Sequence, residues 1–496
     1  MRSLASSLLL AIAGLTLSPA LTAATTPSFA TSEAGNPFVD GFYADPDTKF
    51  YNNEYWVFPT SSYAYDQQTY LDAFSSPDLV HWTKHPNILV ASDFKWARRA
   101  VWAPAPISRN GKYYLYFGAN DIQTDSELGG IGVGVAERPE GPYKDAIGEP
   151  LIGKYYNGAQ PIDQAVFIDD DGQAYIYYGG HSHANVAKLN EDMTSFGKFS
   201  DGTTFKEITP ENYVEGILMV KRNGTYYLFW SEGGWGGPDY AVSYAMADSP
   251  TGPFKRRAKI LQQDAAVATG SGHNGVIHVP NTDTYYIVYH RHPLGNGVGD
   301  NDRHLAYDRL YFNKDGTIQP VKMLVHDNFN DGNMIGWTAY GGTWDPKGNA
   351  LKAGNSAGGK ALLNTNFGDL DFSADIVIPS SNGGDAGLVF RASDPAVGAD
   401  AYNGYYAGIS TSGKLVLGKA SAGSWTQLAS VKADIQPGKQ YRVRVAAKKN
   451  AISVYAGDST TAQIHVSDGS FESGMDGVRV YQTDAVFDNV KVEHLE

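Results

Sequence analysis

Five short aromatic runs recur along this chain at nearly constant spacing. They are Glu54-Tyr55-Trp56-Val57-Phe58, Lys112-Tyr113-Tyr114-Leu115-Tyr116, Gln173-Ala174-Tyr175-Ile176-Tyr177, Thr225-Tyr226-Tyr227-Leu228-Phe229 and Thr284-Tyr285-Tyr286-Ile287-Val288. Their second residues fall 58, 61, 52 and 59 positions apart. Each run reads as a strand and follows a turn: Asn52-Asn53, Asn110-Gly111, Asp171-Gly172, Asn223-Gly224 or Asn281-Thr282-Asp283. A later surface turn echoes in Ser75-Ser76-Pro77-Asp78, Glu137 to Pro142 and Asp248 to Pro253. Units of roughly fifty residues with four strands each are the pattern of propeller blades, and five of them close naturally around an axis. The repeat predicts a five-bladed β-propeller over residues 37–323.

Beyond a short linker around Gln319 to His326 the pattern changes. Leu370–Ile376, Gly387–Arg391, Tyr441–Val445 and Phe487–Val492 alternate apolar and polar positions, with Gly, Ser and Asp turns between them. Period-two runs of this kind predict an antiparallel β-sandwich, a jelly roll, over 327–496. The expected fold is therefore all-β in two domains. The second domain is expected either to assist glycan binding or to brace the first.

Composition agrees with many short strands: 55 Gly, 32 Tyr and only 19% charged residues. The net charge of −14 argues against nucleic acid or an anionic membrane as partner, and leaves a neutral polymer such as a polysaccharide in play. Arg2, the apolar stretch Leu8 to Leu17 and Leu21-Thr22-Ala23 read as a secretory signal over 1–23. Residues 24–36, rich in Ala, Thr, Ser and Pro, read as a disordered leader. The absence of cysteine excludes thiol catalysis and Cys-type zinc sites. Asn223-Gly224-Thr225 is a glycosylation sequon, although an Asn-Gly hairpin accounts for it equally well. The chain is expected to be a secreted monomer.

The repeat also carries chemistry. Ten or eleven residues upstream of each strand's second residue stand Asp45, Trp102, Asp163, Glu215 and Asn274, the last beside His273. In a propeller, equivalent positions of different blades converge on the axis, so residues far apart in sequence come to share one pocket. Hydrolysis of a glycosidic bond needs one carboxylic acid to protonate the leaving oxygen and a second carboxylate to activate water or attack the sugar. Asp45 and Glu215 form the natural pair. Asp163, between them, would raise the acid's pKa by like-charge repulsion and help to orient it. Each is unremarkable alone, since Asp45 opens an Asp-Pro turn, Glu215 precedes Gly, and Asp163 lies near Asp169-Asp170-Asp171. Their shared phase gives them meaning.

Trp102 either stacks on a sugar or packs between blades. Trp235, among the glycines of Glu232 to Gly237, reads as a platform in a loop. His273 either binds substrate by hydrogen bonds or ligates an ion in the central channel, a structural calcium being the candidate; no second His sits at ligand spacing. The chemistry itself requires no cofactor. Of Arg291 and Arg303, one is expected to pair with a catalytic carboxylate or a sugar hydroxyl, with Arg303 preferred.

Taken together, Tyr43-Ala44-Asp45-Pro46-Asp47, Trp102-Ala103-Pro104, Ile162-Asp163 before Phe167 to Gly172, Val214-Glu215-Gly216 and His290-Arg291 with Arg303 resemble glycoside hydrolase family 43. The resemblance covers residues 37–323. It implies single-displacement inversion, with Asp45 as general base, Glu215 as general acid and Asp163 as modulator of the acid's pKa. It also implies exo-acting α-L-arabinofuranosidase or β-xylosidase activity on a plant polysaccharide or oligosaccharide. One departure is Gln164, where the family often has Pro. The C-terminal part is similar, more weakly, to concanavalin-like sandwiches. Two other readings compete: a fructan hydrolase with a carboxylate nucleophile, which would typically carry a Glu-Cys pair that this chain lacks, and a non-catalytic lectin-like propeller.

Overall fold

The computed structural model describes residues 35–354 and 357–495. The expected signal and most of the expected leader lie outside the described residues. Five antiparallel sheets follow one another in sequence, each strand pairing with the next. Their inner strands are Tyr43–Tyr51, Trp102–Arg109, Ala165–Ile168, Glu215–Arg222 and Thr269–His278. All five aromatic runs lie in the second strands: Glu54–Ser61, Lys112–Ala119, Ala174–Tyr178, Thr225–Glu232 and Tyr285–His292. The turns before them behave as their residues demand. Asn52 and Asn53, Asn110 and Gly111, and Asn223 and Gly224 all take positive φ, the twist that joins two antiparallel strands without splaying them.

From its second residue on, each aromatic run is apolar rather than alternating, because both faces of the strand are buried there. Tyr55 and Val57 pack towards blade five while Trp56 and Phe58 pack towards blade two. Ile176 and Tyr178 face blade two, Tyr175 and Tyr177 face blade four. Every gap between neighbouring blades is thus filled by side chains of period two from the strands on either side.

Among the described residues, four blades have four strands and the fifth has three, ending with His304–Leu310. A side chain pairs with the backbone of that last strand. Asn36 Nδ2 donates to Tyr307 O at 3.0 Å and Tyr307 N donates to Asn36 Oδ1 at 3.1 Å, so one carboxamide imitates a strand partner. Asn36, assigned to the leader on composition, belongs to the propeller for this reason.

Val325–Asp327 already pairs with Ala485–His494 in the second domain. That domain is a sandwich of two antiparallel sheets. One runs Thr343–Asp345, Leu351–Gly354, Ala485–His494, Leu370–Val377, Gln440–Lys448, Ala451–Ala456 and Ile464–Ser467. The other runs Trp337–Tyr340, Gly359–Phe367, Gly474–Tyr481, Asp385–Ser393, Asn403–Ser410, Lys414–Ser421 and Ser424–Lys432. Asn366 N donates to Ala266 O at 2.8 Å and Asn364 Nδ2 to Leu294 O at 2.8 Å, fastening the sandwich to blades four and five. Among the described residues, no helix is long and apolar enough to cross a membrane.

Candidate active site

The phase shared by the candidate residues has a structural cause: a β-bulge at the start of the inner strand. Register shifts fall between Ala44 and Asp47, between Trp102 and Ala105, between Glu215 and Leu218, and between Thr269 and Asn274. At or beside each stands a residue with positive φ: Asp45 at 48°, Ala103 at 44°, Gly216 at 69° and Gly270 at 55°. Asp163, just ahead of its shorter strand, takes 54°. A bulge turns one side chain out of the alternation and aims it elsewhere. Left-handed backbone at two aspartates costs on the order of 1 kcal/mol or more each, which the surrounding packing must sustain. Gly216 has no alternative, since a Cβ there would meet Ser231 Oγ at 2.8 Å.

The bulges at Asp45 and Glu215 and the left-handed residue Asp163 bring the three acids together. Asp163 Oδ2 accepts the Gly216 N–H at 3.1 Å, so this carboxylate sits against the peptide that carries Glu215. His273 Nδ1 lies 3.5 Å from Asp163 Oδ2 and 3.8 Å from Asp45 Oδ1, between the two aspartates. Arg303 Nη1 donates to Asp45 Oδ1 at 3.2 Å and its Nε to Ser62 Oγ at 2.9 Å, giving the Asp45 charge a counter-ion in fixed orientation. Trp235 covers the same guanidinium, 5.0 Å from the ring centre to Cζ. Trp102, partly exposed, meets Tyr65 edge-on at 4.9 Å. Tyr65 in turn lies within electrostatic range of Arg303, Asp45 and Glu215. The seven residues singled out from the sequence therefore converge on one site.

Burial and neighbouring charges act on the acids. Burial first, then the Asp163 charge, push Glu215 up to about 8. Burial and the Asp45 charge also raise Asp163, while the Gly216 N–H and Arg303 pull it down. The two carboxyls compete for a proton, and the Gly216 N–H and the Arg303 charge, both of which favour an ionised Asp163, bias it towards Glu215. The partner of Glu215 is the Tyr240 hydroxyl, at 2.9 Å from Oε1, which serves a carboxylic acid as well as a carboxylate.

Two contributors carried no role in the sequence reading. Tyr240 is one; its ring fills the space over Gly272, where a Cβ would fall 2.3 Å away, and lies nearly parallel to His290 at 5.6 Å. His290 is the other. Its Nδ1 accepts the Asp45 backbone N–H at 3.1 Å, which places the ring proton on Nε2, and burial holds its pKa well below the usual range, so the ring is neutral. The signal for His290 was period two: Tyr286 and Val288 face blade one, and His290 continues that face into the channel. The same alternation turns Arg291 away, and its Nη2 donates to Asn36 O at 3.3 Å. Gln164 is also structural, since its Nε2 donates to Ala103 O and laces blade three to the bulge of blade two.

The calcium expectation rests on His273. Its Nδ1 and both side-chain atoms of Asn274 are buried without hydrogen-bond partners. Among the described residues, however, no group of three or more His, Cys, Asp and Glu could hold a metal ion. His273 and the Asn274 oxygen are the groups that would face an ion there, with any remaining ligands coming from outside this set of side chains.

Comparison with known proteins decides the family. The model of glycosyl hydrolases family 43 matches residues 34–318. The chain belongs to family 43. Residues 326–493 match the 3-keto-alpha-glucoside-1,2-lyase-like domain, a concanavalin-like sandwich. The chain is 47% identical over 309 residues to the beta-D-galactofuranosidase xynD of Aspergillus niger, covering 59% of this chain and 86% of that protein. It is 29% identical to the xylosidase/arabinosidase 43A of Humicola insolens, over 58% of this chain and 99% of the other. A thermostable family-43 glycoside hydrolase of known structure superposes with a TM-score of 0.50 at 24% identity, over 60% of this chain and 96% of its own, and so shares the fold. This family 43 protein is a glycoside hydrolase.

Proposed function

We propose that this hydrolase is an inverting, exo-acting furanosidase that releases terminal L-arabinofuranose from arabinoxylan or arabinan. The observation that carries the mechanism is the pairing of an arginine-held Asp45 with a Glu215 raised to about 8, the two linked through Asp163 and His273. Asp45 takes a proton from water as that water attacks the anomeric carbon. Glu215 gives its proton to the departing oxygen on the opposite face, and the configuration inverts. Asp163 holds the acid protonated at neutral pH, Arg303 and His290 hold the base, and Trp235 and Trp102 flank the sugar. A cell-wall polymer as substrate accords with the export signal expected at residues 1–23.

A second substrate has specific support in the Aspergillus niger galactofuranosidase. β-D-Galactofuranose shares the ring configuration of α-L-arabinofuranose and differs by one exocyclic carbon, so one set of ring contacts can serve both. Aryl α-L-arabinofuranoside, β-D-galactofuranoside and β-D-xyloside, assayed beside arabinoxylan and linear arabinan, rank the sugars. Proton NMR of the first-formed product must show the inverted anomer; the retained anomer would overturn the mechanism. Glu215→Gln should lower turnover by about 10²–10⁴-fold on the preferred polysaccharide, and a loss of only a few-fold would unseat the acid.

A further inference from the structure

The seven-stranded sheet of the sandwich carries, on its outer face, a side-chain cluster remote from the catalytic acids. Leu388, Phe390, Ala407 and Leu417 face the domain core, so Val389, Tyr406 and Ala420 face outward. On this outer face Tyr406 and Trp425 lie against the sheet over two glycines. A Cβ at Gly408 would fall 2.0 Å from the Tyr406 hydroxyl, and one at Gly418 would fall 2.4 Å from the Trp425 ring. Trp425 remains 37% exposed.

Beside these rings sits Arg479, 4% exposed, with its guanidinium 4.3 Å from the centre of Tyr406 and 5.9 Å from that of Trp425. It pairs with Asp385 at 2.5 Å and Asp400 at 2.8 Å. Each acid commits one oxygen. Asp385 Oδ1 receives both Arg479 and the Tyr406 hydroxyl, and Asp400 Oδ1 receives Arg479. These side chains remain 28% and 26% exposed, and Arg479 Nε is buried without a partner. Lys360, bound to three carbonyls of the 396–401 loop, supplies a second positive charge, so the cluster is neutral as a whole. An exposed indole beside uncommitted carboxylate oxygens, at zero local charge, matches a neutral ring with an apolar C–H face and hydroxyls at its edge. It does not match a polyanion or an apolar peptide.

We propose that this face is a glycan-binding site, with one sugar ring of a neutral polysaccharide stacked on Trp425 and its hydroxyls donating to Asp385 and Asp400. The choice of polysaccharide rests on the furanosidase reading of the propeller. The test is affinity electrophoresis of the full chain carrying Glu215→Gln, which spares the polymer, in gels of arabinoxylan, arabinan or a galactofuranose-bearing glycan. The chain should be retarded in at least one gel, and adding Trp425→Ala should weaken that binding about tenfold. With Glu215 intact, Trp425→Ala should leave kcat on an aryl glycoside unchanged. Should that variant lose aryl-glycoside turnover, Asp400→Asn, which keeps the shape, decides alone, with an expected loss of at least about threefold. No retardation in any gel, or retardation undiminished in the deciding variant, overturns the proposal. Aryl-glycoside turnover reports on the catalytic reading separately, so an idle propeller and a sandwich that binds nothing give different results.

Discussion

Asp163→Asn removes one negative charge beside Glu215 while keeping an oxygen to accept the Gly216 N–H, now 3.1 Å from Asp163 Oδ2. Glu215 stands at about 8 through burial first and the Asp163 charge second. A like charge at this range is worth roughly one to two pK units, or about 1.4–2.8 kcal/mol. The variant should bring Glu215 down to about 6–7 and no further, because burial, the larger cause, is untouched. The acid works protonated, so the sign is fixed: at pH 7 a group at about 8 is roughly 90% protonated, and one at about 6 only roughly 10%. Protonation alone should then cost up to about ninefold in kcat/KM at pH 7, with the deficit closing near pH 5, where both forms carry the proton. The assay is kcat/KM from pH 4.5 to 9 on the best aryl glycoside, fitted for the alkaline limb. An unmoved alkaline limb, or a loss of equal size at pH 5 and pH 8, would refute the role assigned to Asp163.

The same shift bears on stability. A carboxyl whose folded-state pKa rises from 4.5 to about 8 contributes stability that is complete below about 4.5 and lost as pH climbs through 8. The Tm of the wild type should therefore fall more steeply between pH 5 and pH 9 than that of Glu215→Gln, which has no charge to desolvate; parallel slopes would contradict the burial argument. Arg303→Lys keeps the charge but cannot hold Ser62, Asp45 and the Trp235 face at once, so kcat/KM should drop by about 10–100-fold. Activity within threefold of wild type would show that orientation of Asp45 does not depend on the planar fork.

What could be read from the sequence follows from interactions between near neighbours in the chain. Asn-Gly and Asn-Asn turns ahead of aromatic strands specify hairpins within ten residues of themselves, and the period of those hairpins specifies blades. Asp45, Asp163 and Glu215 were legible because left-handed backbone at the entry to the inner strand recurs at one phase of that period, although that backbone itself was not. At Asp45 and Asp163 no local preference demands it and only packing between blades sustains it. The sandwich strands were legible for the same reason as the hairpins. The partners of the acids were not. His290 meets Asp45 across 245 residues, a contact that arises only when the ring of blades closes, and Tyr240 reaches Glu215 across the second strand of its own blade. The three-stranded fifth blade was equally hidden, because its missing partner is the side chain of Asn36, 271 residues upstream. Sequence thus determined the fold and which acids share one phase of its repeat; tertiary structure decided that they meet and how strongly each holds a proton, since burial and the distance between charges exist only once distant segments meet.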